Sequence, residues 1–113
     1  MTNKFDSKVE KDFPETTMEF LKITDAMYET FLQKQADYGP SNIGMGVSKV
    51  RTKEDIHKSL LGLSVRMNDK IQRLLNLTMN KQEPNNESIE DNLLDIANYA
   101  AMGIIVNKGL WGQ

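Results

Sequence analysis

Residues 87–108 read ESIEDNLLDIANYAAMGIIVNK, and the spacing of their apolar side chains predicts one long α-helix. The apolar positions fall within one broad arc of the helical wheel: Ile89, Leu93, Ile96, Ala97, Ala100 and Ile104. The opposite face carries an acidic stripe formed by Glu87, Asp91 and Asp95, with Asn98 beside it. Gly109 and Gly112 follow this segment and can end the helix.

Two further helices are predicted upstream, each with apolar side chains at helical spacing. The first covers residues 17–36, where Thr16 and Glu19 have the spacing of a capping box. One face of this helix carries Leu21, Thr24, Tyr28, Phe31 and Leu32. The second covers residues 53–77, with Thr52 as its N-cap. Its apolar stripe consists of Leu60, Leu63, Met67, Ile71 and Leu74.

Three long helices without a strand pattern predict an all-α fold, a bundle of three helices preceded by an N-terminal arm. The polar residues 1–15, which include Pro14, form the predicted arm, and residues 16–113 form one predicted helical domain. Three helices of this length cannot bury all of their apolar side chains, notably the methionines, Phe31 and Trp111. We therefore expect oligomerisation, as a homo-oligomer, to complete the bundle.

Composition narrows the possible partners. The net charge of −2 argues against a nucleic-acid polymer or an anionic membrane as the partner, since both favour a basic surface. The absence of cysteine excludes disulfides and thiolate metal sites. No segment has the roughly 20 apolar residues of a membrane span, and the first residues lack the apolar core of a signal peptide. We expect a cytoplasmic location.

The acidic stripe is the first candidate site. Like charges four residues apart destabilise a helix slightly, so the stripe requires a compensating positive charge. Mg²⁺ is one candidate, because it prefers oxygen ligands and shares its remaining positions with phosphate. Glu87, Asp91 and Asp95 are then the predicted metal ligands, Asp91 and Asp95 the catalytic candidates, and Asn98 a ligand-binding residue. The alternative is a solvated face, or one paired with a neighbouring helix.

Two other groups of residues could contact a phosphorylated ligand. Arg66, Lys70 and Arg73 border the apolar stripe of the second helix, where they could bind phosphate oxygens or pair with the acidic stripe. The glycine-rich loop after the first helix supplies further ligand-binding candidates: Lys34, Asp37, Tyr38 and Asn42. The alternative for this loop is a plain connection between helices.

Three motifs together resemble the nucleotide-modification-associated domain family common in bacteriophages. They are K-x-x-D-Y-G from Lys34, R-x-x-x-K-x-x-R-L from Arg66, and E-S-x-x-D-x-L-L-D-x-A-N-Y-A from Glu87. The resemblance extends over residues 27–108 and implies a nucleotide ligand. It also implies similarity in pattern to the MazG-like all-α nucleotide pyrophosphohydrolases, which hold Mg²⁺ on acidic residues of two facing helices. Here the first helix offers only Glu29 and Asp37 for such a role.

The sequence is therefore compatible with three functions. The first is a phage-type protein that binds a phosphorylated nucleotide, with Mg²⁺-dependent hydrolysis of a phosphoanhydride in nucleotide metabolism or modification. The second is a non-catalytic protein that sequesters a host immune signalling nucleotide in the host cytoplasm. The third is an oligomeric helical bundle without a ligand.

Overall fold

The structure, a computed structural model, describes residues 7–43 and 47–113, with the backbone alone at residues 41 and 42. Its α-helices are α1 (Lys8–Asp12), α2 (Pro14–Tyr38), α3 (Lys53–Met79) and α4 (Ile89–Asn107), and Pro40–Ile43 form a 3-10 turn. No strand occurs within these ranges, and the predicted all-α class is confirmed. None of these helices has the length and apolar character needed to cross a membrane.

Helix α3 begins at its predicted position and α4 begins two residues later than predicted, and both begin with a capping box. Thr52 accepts a hydrogen bond from the backbone N–H of Asp55, whose carboxylate accepts one from the N–H of Thr52. Ser88 and Asp91 form the same reciprocal pair at the start of α4. Each box satisfies backbone donors that have no partner within the first helical turn.

Helix α2 begins earlier than predicted, and the capping box expected at Thr16 and Glu19 is wrong. Pro14 occupies the first helical position, where its missing N–H costs nothing, and the N-cap residue Phe13 makes no side-chain cap. Thr16 and Glu19 therefore lie inside the helix. At its other end the helix continues to Tyr38 and stops at Gly39, whose φ of 75° suits glycine.

Helices α3 and α4 form an antiparallel hairpin that carries the core. Leu63 of α3 packs with Met102 and Val106 of α4, and Gly103 lets the two helices approach beside Leu60. Side chains from the segments flanking the hairpin complete the buried cluster: Ile43, Val50 and Trp111. Trp111, expected from the sequence to be surplus apolar surface, is buried, and its ring meets the half-buried Phe31 edge-on with centroids 6.0 Å apart.

The C-terminal residues clasp the segment that follows α2. The indole N–H of Trp111 donates to the carbonyl of Pro40 over 2.9 Å, and the N–H of Val50 donates to the carbonyl of Trp111 over 3.1 Å. Gln113 adds a side-chain bond to the carbonyl of Val50. Gly112 has φ 78°, and a Cβ there would lie 2.7 Å from the carbonyl oxygen of Ser48. The clasp therefore requires glycine at this position.

Helix α4 presents its polar residues inward and much of its apolar arc outward. Asn92, Asp95 and Asn98 are each less than a tenth exposed. Ile89, Leu93 and Ile104, which the sequence places on the apolar arc, are 40%, 49% and 59% exposed. Helix α2, which crosses α4, contains no buried residue at all. The acidic side of α4 is thus an interior surface near Asp95 and Asn98 rather than a solvated face.

Candidate functional site

A cleft of about 230 Å³ lies where the second half of α2 crosses the α3–α4 hairpin. Its walls combine charged, amide and aromatic side chains from all three long helices. They are Phe31, Lys34, Gln35 and Tyr38 of α2, Arg66 and Lys70 of α3, and Glu87, Asp95, Asn98, Tyr99 and Met102 at and within α4. The buried polar side of α4 lines the bottom of the cleft. The cleft is polar because α4 turns Asp95 and Asn98 inward.

Two lysines hold the carboxylate of Asp95 from opposite helices. Lys34 Nζ of α2 lies 2.7 Å from Oδ1, and Lys70 Nζ of α3 lies 2.9 Å from Oδ2. Lys70 also donates to Glu87 Oε2 over 2.6 Å. The ammonium of Lys70 therefore stands between two carboxylates and supplies the positive charge that the acidic stripe requires.

The pKa values of these groups reflect burial opposed by pairing. Burial alone would raise the pKa of Asp95, but the hydrogen bonds and charges of Lys34 and Lys70 outweigh it and lower the pKa below 3.8. Burial alone would lower the pKa of Lys70, whereas its bonds to Glu87 and Asp95 raise it above 10.5. Lys34 behaves in the same way through Asp95. All three groups are charged at neutral pH.

The arrangement does not fit the predicted magnesium site. Asp91 is exposed and its carboxylate accepts the N–H of Ser88 in the capping box, while Glu87 and Asp95 are bound to lysine. Across residues 7–43 and 47–113, no three acidic or histidine side chains converge in a group that could hold a metal ion. The metal roles of Glu87, Asp91 and Asp95 stay predictions.

The two arginines of the predicted basic edge differ in their surroundings. Arg66 lines the cleft, and none of the residues that the structure describes pairs with its guanidinium. Arg73 lies outside the lining and donates from Nη2 to the backbone carbonyl of Glu87 over 2.7 Å. Arg66 therefore offers a free cation to a ligand, whereas Arg73 fixes the backbone that positions Glu87.

Asn98 carries a polar group in the cleft that has no hydrogen-bond partner among residues 7–43 and 47–113. Its side chain is 8% exposed, and its Nδ2 is buried without an acceptor in the described part of the chain. An unpaired buried amide donor costs free energy, about 1–3 kcal/mol in mutational studies. A ligand acceptor in the cleft would remove that cost. Phe31 and Tyr99 provide aromatic surface beside it.

The fold brings together seven of the sequence-predicted residues: Lys34, Tyr38, Arg66, Lys70, Glu87, Asp95 and Asn98. Asp37, Arg73 and Asp91 do not line the cleft, and the side chain of Asn42 lies outside the described residues. Sequence reasoning missed four lining residues: Phe31, Gln35, Tyr99 and Met102. Phe31 and Gln35 share a face of α2 with Tyr38, and Met102 lies one turn beyond Asn98. That spacing places these three residues near predicted ones, but whether they line the cleft depends on how α2 crosses α4.

Comparison with known protein families yields a match that covers the cleft. A protein family described as nucleotide modification associated domain 1 matches residues 34–106, almost two-thirds of the chain. The matched segment begins at Lys34 and ends at Val106, so it includes every lining residue of the cleft except Phe31. No curated protein and no solved structure matches the chain significantly.

Proposed function

Since the chain belongs to the nucleotide modification associated domain 1 family, we propose that its cleft binds a phosphorylated nucleotide without cleaving it. The observation that carries the proposal is the buried Asn98 amide, whose Nδ2 has no acceptor among the described residues and which shares the cleft with aromatic side chains and Arg66. Aromatic surface suits a base, an arginine suits a phosphate, and an amide suits a base or sugar oxygen. All three requirements of a nucleotide meet in one cleft.

The phosphate end lies at Arg66, Lys34 and Lys70. Three cations face the two carboxylates of Glu87 and Asp95 in this cleft, which leaves one positive charge uncompensated. Arg66 can bind two phosphate oxygens at once through its planar guanidinium. The exposed part of Lys34 can turn from Asp95 to a second phosphate oxygen. The phosphate would then replace the Asp95 carboxylate as the partner of the Lys34 ammonium.

The base end lies at Asn98, Tyr99 and Phe31. The Nδ2 of Asn98 donates to a carbonyl oxygen or ring nitrogen, and the aromatic rings pack against the base. A cleft of about 230 Å³ is smaller than typical sites for drug-sized ligands, which hold roughly 300–1,000 Å³. This size favours a single nucleoside phosphate over a larger dinucleotide.

Binding is favoured over hydrolysis because the acidic residues are already engaged. Glu87 and Asp95 are paired with lysines, and the Asp91 carboxylate accepts the N–H of Ser88 at the start of α4. Within the described ranges, these three carboxylates therefore do not form an unpaired cluster that could bind a cation. Mg²⁺-dependent hydrolysis would require Lys70 to leave its place between Glu87 and Asp95. In a phage-infected cell, a binder of this kind would act in the host cytoplasm, where it would withhold a nucleotide from host enzymes or immune signalling.

Calorimetric titration tests the proposal with matched arginine variants. We expect nucleoside mono-, di- and triphosphates to include at least one that binds stoichiometrically, both with Mg²⁺ and with a chelator present. Arg66→Ala should weaken its binding about 10- to 100-fold, equivalent to the 1.5–3 kcal/mol of a charge-assisted hydrogen bond. Arg51→Ala removes an exposed arginine outside the cleft and should leave the affinity within about twofold.

Three results of the titration would count against this function. Equal binding by the Arg66→Ala and Arg51→Ala variants would place the ligand elsewhere. Binding that requires Mg²⁺ and releases a shortened nucleotide would identify an enzyme, and the predicted metal roles of Glu87, Asp91 and Asp95 would then regain support. The absence of binding across the panel would favour the third hypothesis, a helical bundle without a ligand.

A further inference from the structure

The outward-facing arc of α4 is the strongest feature that nucleotide binding leaves unexplained. Ile89, Leu93 and Ile104 recur along one side of this helix, and each leaves 40% or more of its surface exposed. The opposite side of the same helix buries amides and a carboxylate. The covered side also carries Met102 and Val106 of the core, so α4 has a second apolar face that the chain itself leaves open. Since apolar burial is the main driving force of folding, that open face points to a missing partner.

Ile89 and Leu93 of the exposed arc line one wall of a groove between α2 and α4, and Ile104 lies beyond its lining. The first half of α2 supplies the other wall through Ile23 and Ala26, and the groove holds about 470 Å³. The neighbouring Phe20 and Leu21 of α2 are also at least 60% exposed. This groove is separate from the nucleotide cleft, which lies at the second half of α2.

The total surface of the chain is large for a folded monomer. It measures 8585 Å², whereas a monomer of 12.9 kDa exposes about 6,300 Å². If the nine residues outside the described ranges had the exposure of an unfolded chain, an excess of about 1,100 Å² would still remain. Obligate homodimers bury upwards of about 2,000 Å² in total, or about 1,000 Å² from each partner. An excess of that size is enough to supply one partner's share of such an interface.

The charges at the groove permit self-recognition. Glu19 and Glu90 lie at its rim together with Lys22, so both signs are present on one surface. In a two-fold interface the same surface of both copies is in contact, so a residue of one copy lies against a different residue of the other. Lys22 of one copy can therefore pair with Glu19 or Glu90 of the other. We propose that a second copy of this chain covers the groove between α2 and α4, and that the paired helices form a shared apolar core.

Sedimentation of the purified full chain without added nucleotide tests this interface. We expect a mass of about 26 kDa, twice that of one chain, at micromolar concentration. Leu93→Glu places a charge at the centre of the groove and should weaken self-association at least about 100-fold. Leu75→Glu is the control: Leu75 of α3 is 47% exposed, like Leu93 at 49%, but lies outside the groove. That variant should remain a dimer.

A second readout covers the case in which Leu93→Glu does not fold. The unfolding midpoint of the unaltered chain should rise with protein concentration, because association stabilises a folded dimer by mass action. A mass of one chain at all concentrations, with a midpoint independent of concentration, would overturn the proposal. A dimer that Leu75→Glu disrupts while Leu93→Glu does not would also overturn it, since the interface would then lie on α3.

Discussion

Lys70 occupies the position in which a bound cation was expected from the sequence. Its ammonium contacts Glu87 and Asp95 together, at 2.6 and 2.9 Å. Acidic residues repeated along one face of a helix indicate a need for positive charge, but the pattern contains no information on whether a metal or a lysine supplies it. The basic edge of α3 was the relevant signal, because its position beside the apolar stripe brings Lys70 against α4.

The Asp95 carboxylate should make folding stability sensitive to acid. Its pKa lies below 3.8 in the folded chain, so its contribution is present above the unfolded value and is lost as the pH falls through the folded value. Asp95→Asn should lower the free energy of unfolding at pH 7 by about 2 kcal/mol, because Lys34 and Lys70 lose their shared partner while remaining partly solvated. Chemical denaturation at pH 7 and at pH 3 measures both effects.

Glu87→Gln is the control for this prediction, since the Glu87 side chain is about half exposed and Asp95 retains both lysines. We expect it to cost less than about 1 kcal/mol at pH 7 and to retain the acid sensitivity. If Asp95→Asn were as stable at pH 7 as the unaltered chain, the lysine pairing would not contribute to the fold.

At the scale of helices, the start of α3 was predictable because Thr52 precedes its apolar stripe, whereas α4 begins at Ile89, two residues after its predicted start. The start of α2 was not predictable, since Thr16 and Glu19 have capping spacing but Pro14 already begins the helix. The direction in which α4 faces was not predictable either. A helical wheel identifies an apolar arc and a polar stripe. Which of them faces the interior depends on the side chains of the neighbouring helices, and here Lys34 of α2 and Lys70 of α3 pair with the polar stripe.

The capping boxes give a paired prediction. Ser88→Ala should lower the free energy of unfolding by about 1 kcal/mol, because the N–H of Asp91 loses its acceptor. Thr16→Ala, at the position where the sequence wrongly predicts a cap, should change stability by less than about 0.5 kcal/mol. Thermal unfolding of both variants checks the difference, and an equal loss in both would contradict the observed helix boundaries.

Gly112 and Gly109, near the C-terminus, give a second pair of stability predictions. Gly112→Ala should destabilise the chain by at least about 2 kcal/mol, because its Cβ meets the backbone of Ser48 and its φ is positive. Gly109→Ala has a positive φ but open space around it, so about 1 kcal/mol is expected. Emission of Trp111, the single tryptophan, should shift to longer wavelength in the first variant at intermediate denaturant. Equal stability of the two variants would argue against the clasp.

At the scale of the whole molecule, the cleft exists because α2 crosses the α3–α4 hairpin beside the polar residues Lys70, Asp95 and Asn98. The sequence predicted the charged members, which all lie within the residues that match the nucleotide modification associated domain 1 family. It missed Phe31, Gln35, Tyr99 and Met102, whose roles depend on how α2 crosses α4. Helix crossing is determined by the fit of the packed surfaces and is not encoded in the periodicity of either helix alone.

Mass spectrometry of small molecules released on denaturation tests nucleotide binding most directly. The protein is purified from cells or after incubation with a cell extract, with and without Mg²⁺, beside Asn98→Leu and the matched surface variant Asn107→Leu. We predict an intact phosphorylated nucleotide from the unaltered chain and from Asn107→Leu in both conditions, and at least about tenfold less from Asn98→Leu. Equal recovery from all three proteins, no nucleotide from any of them, or only a cleaved product would contradict the account.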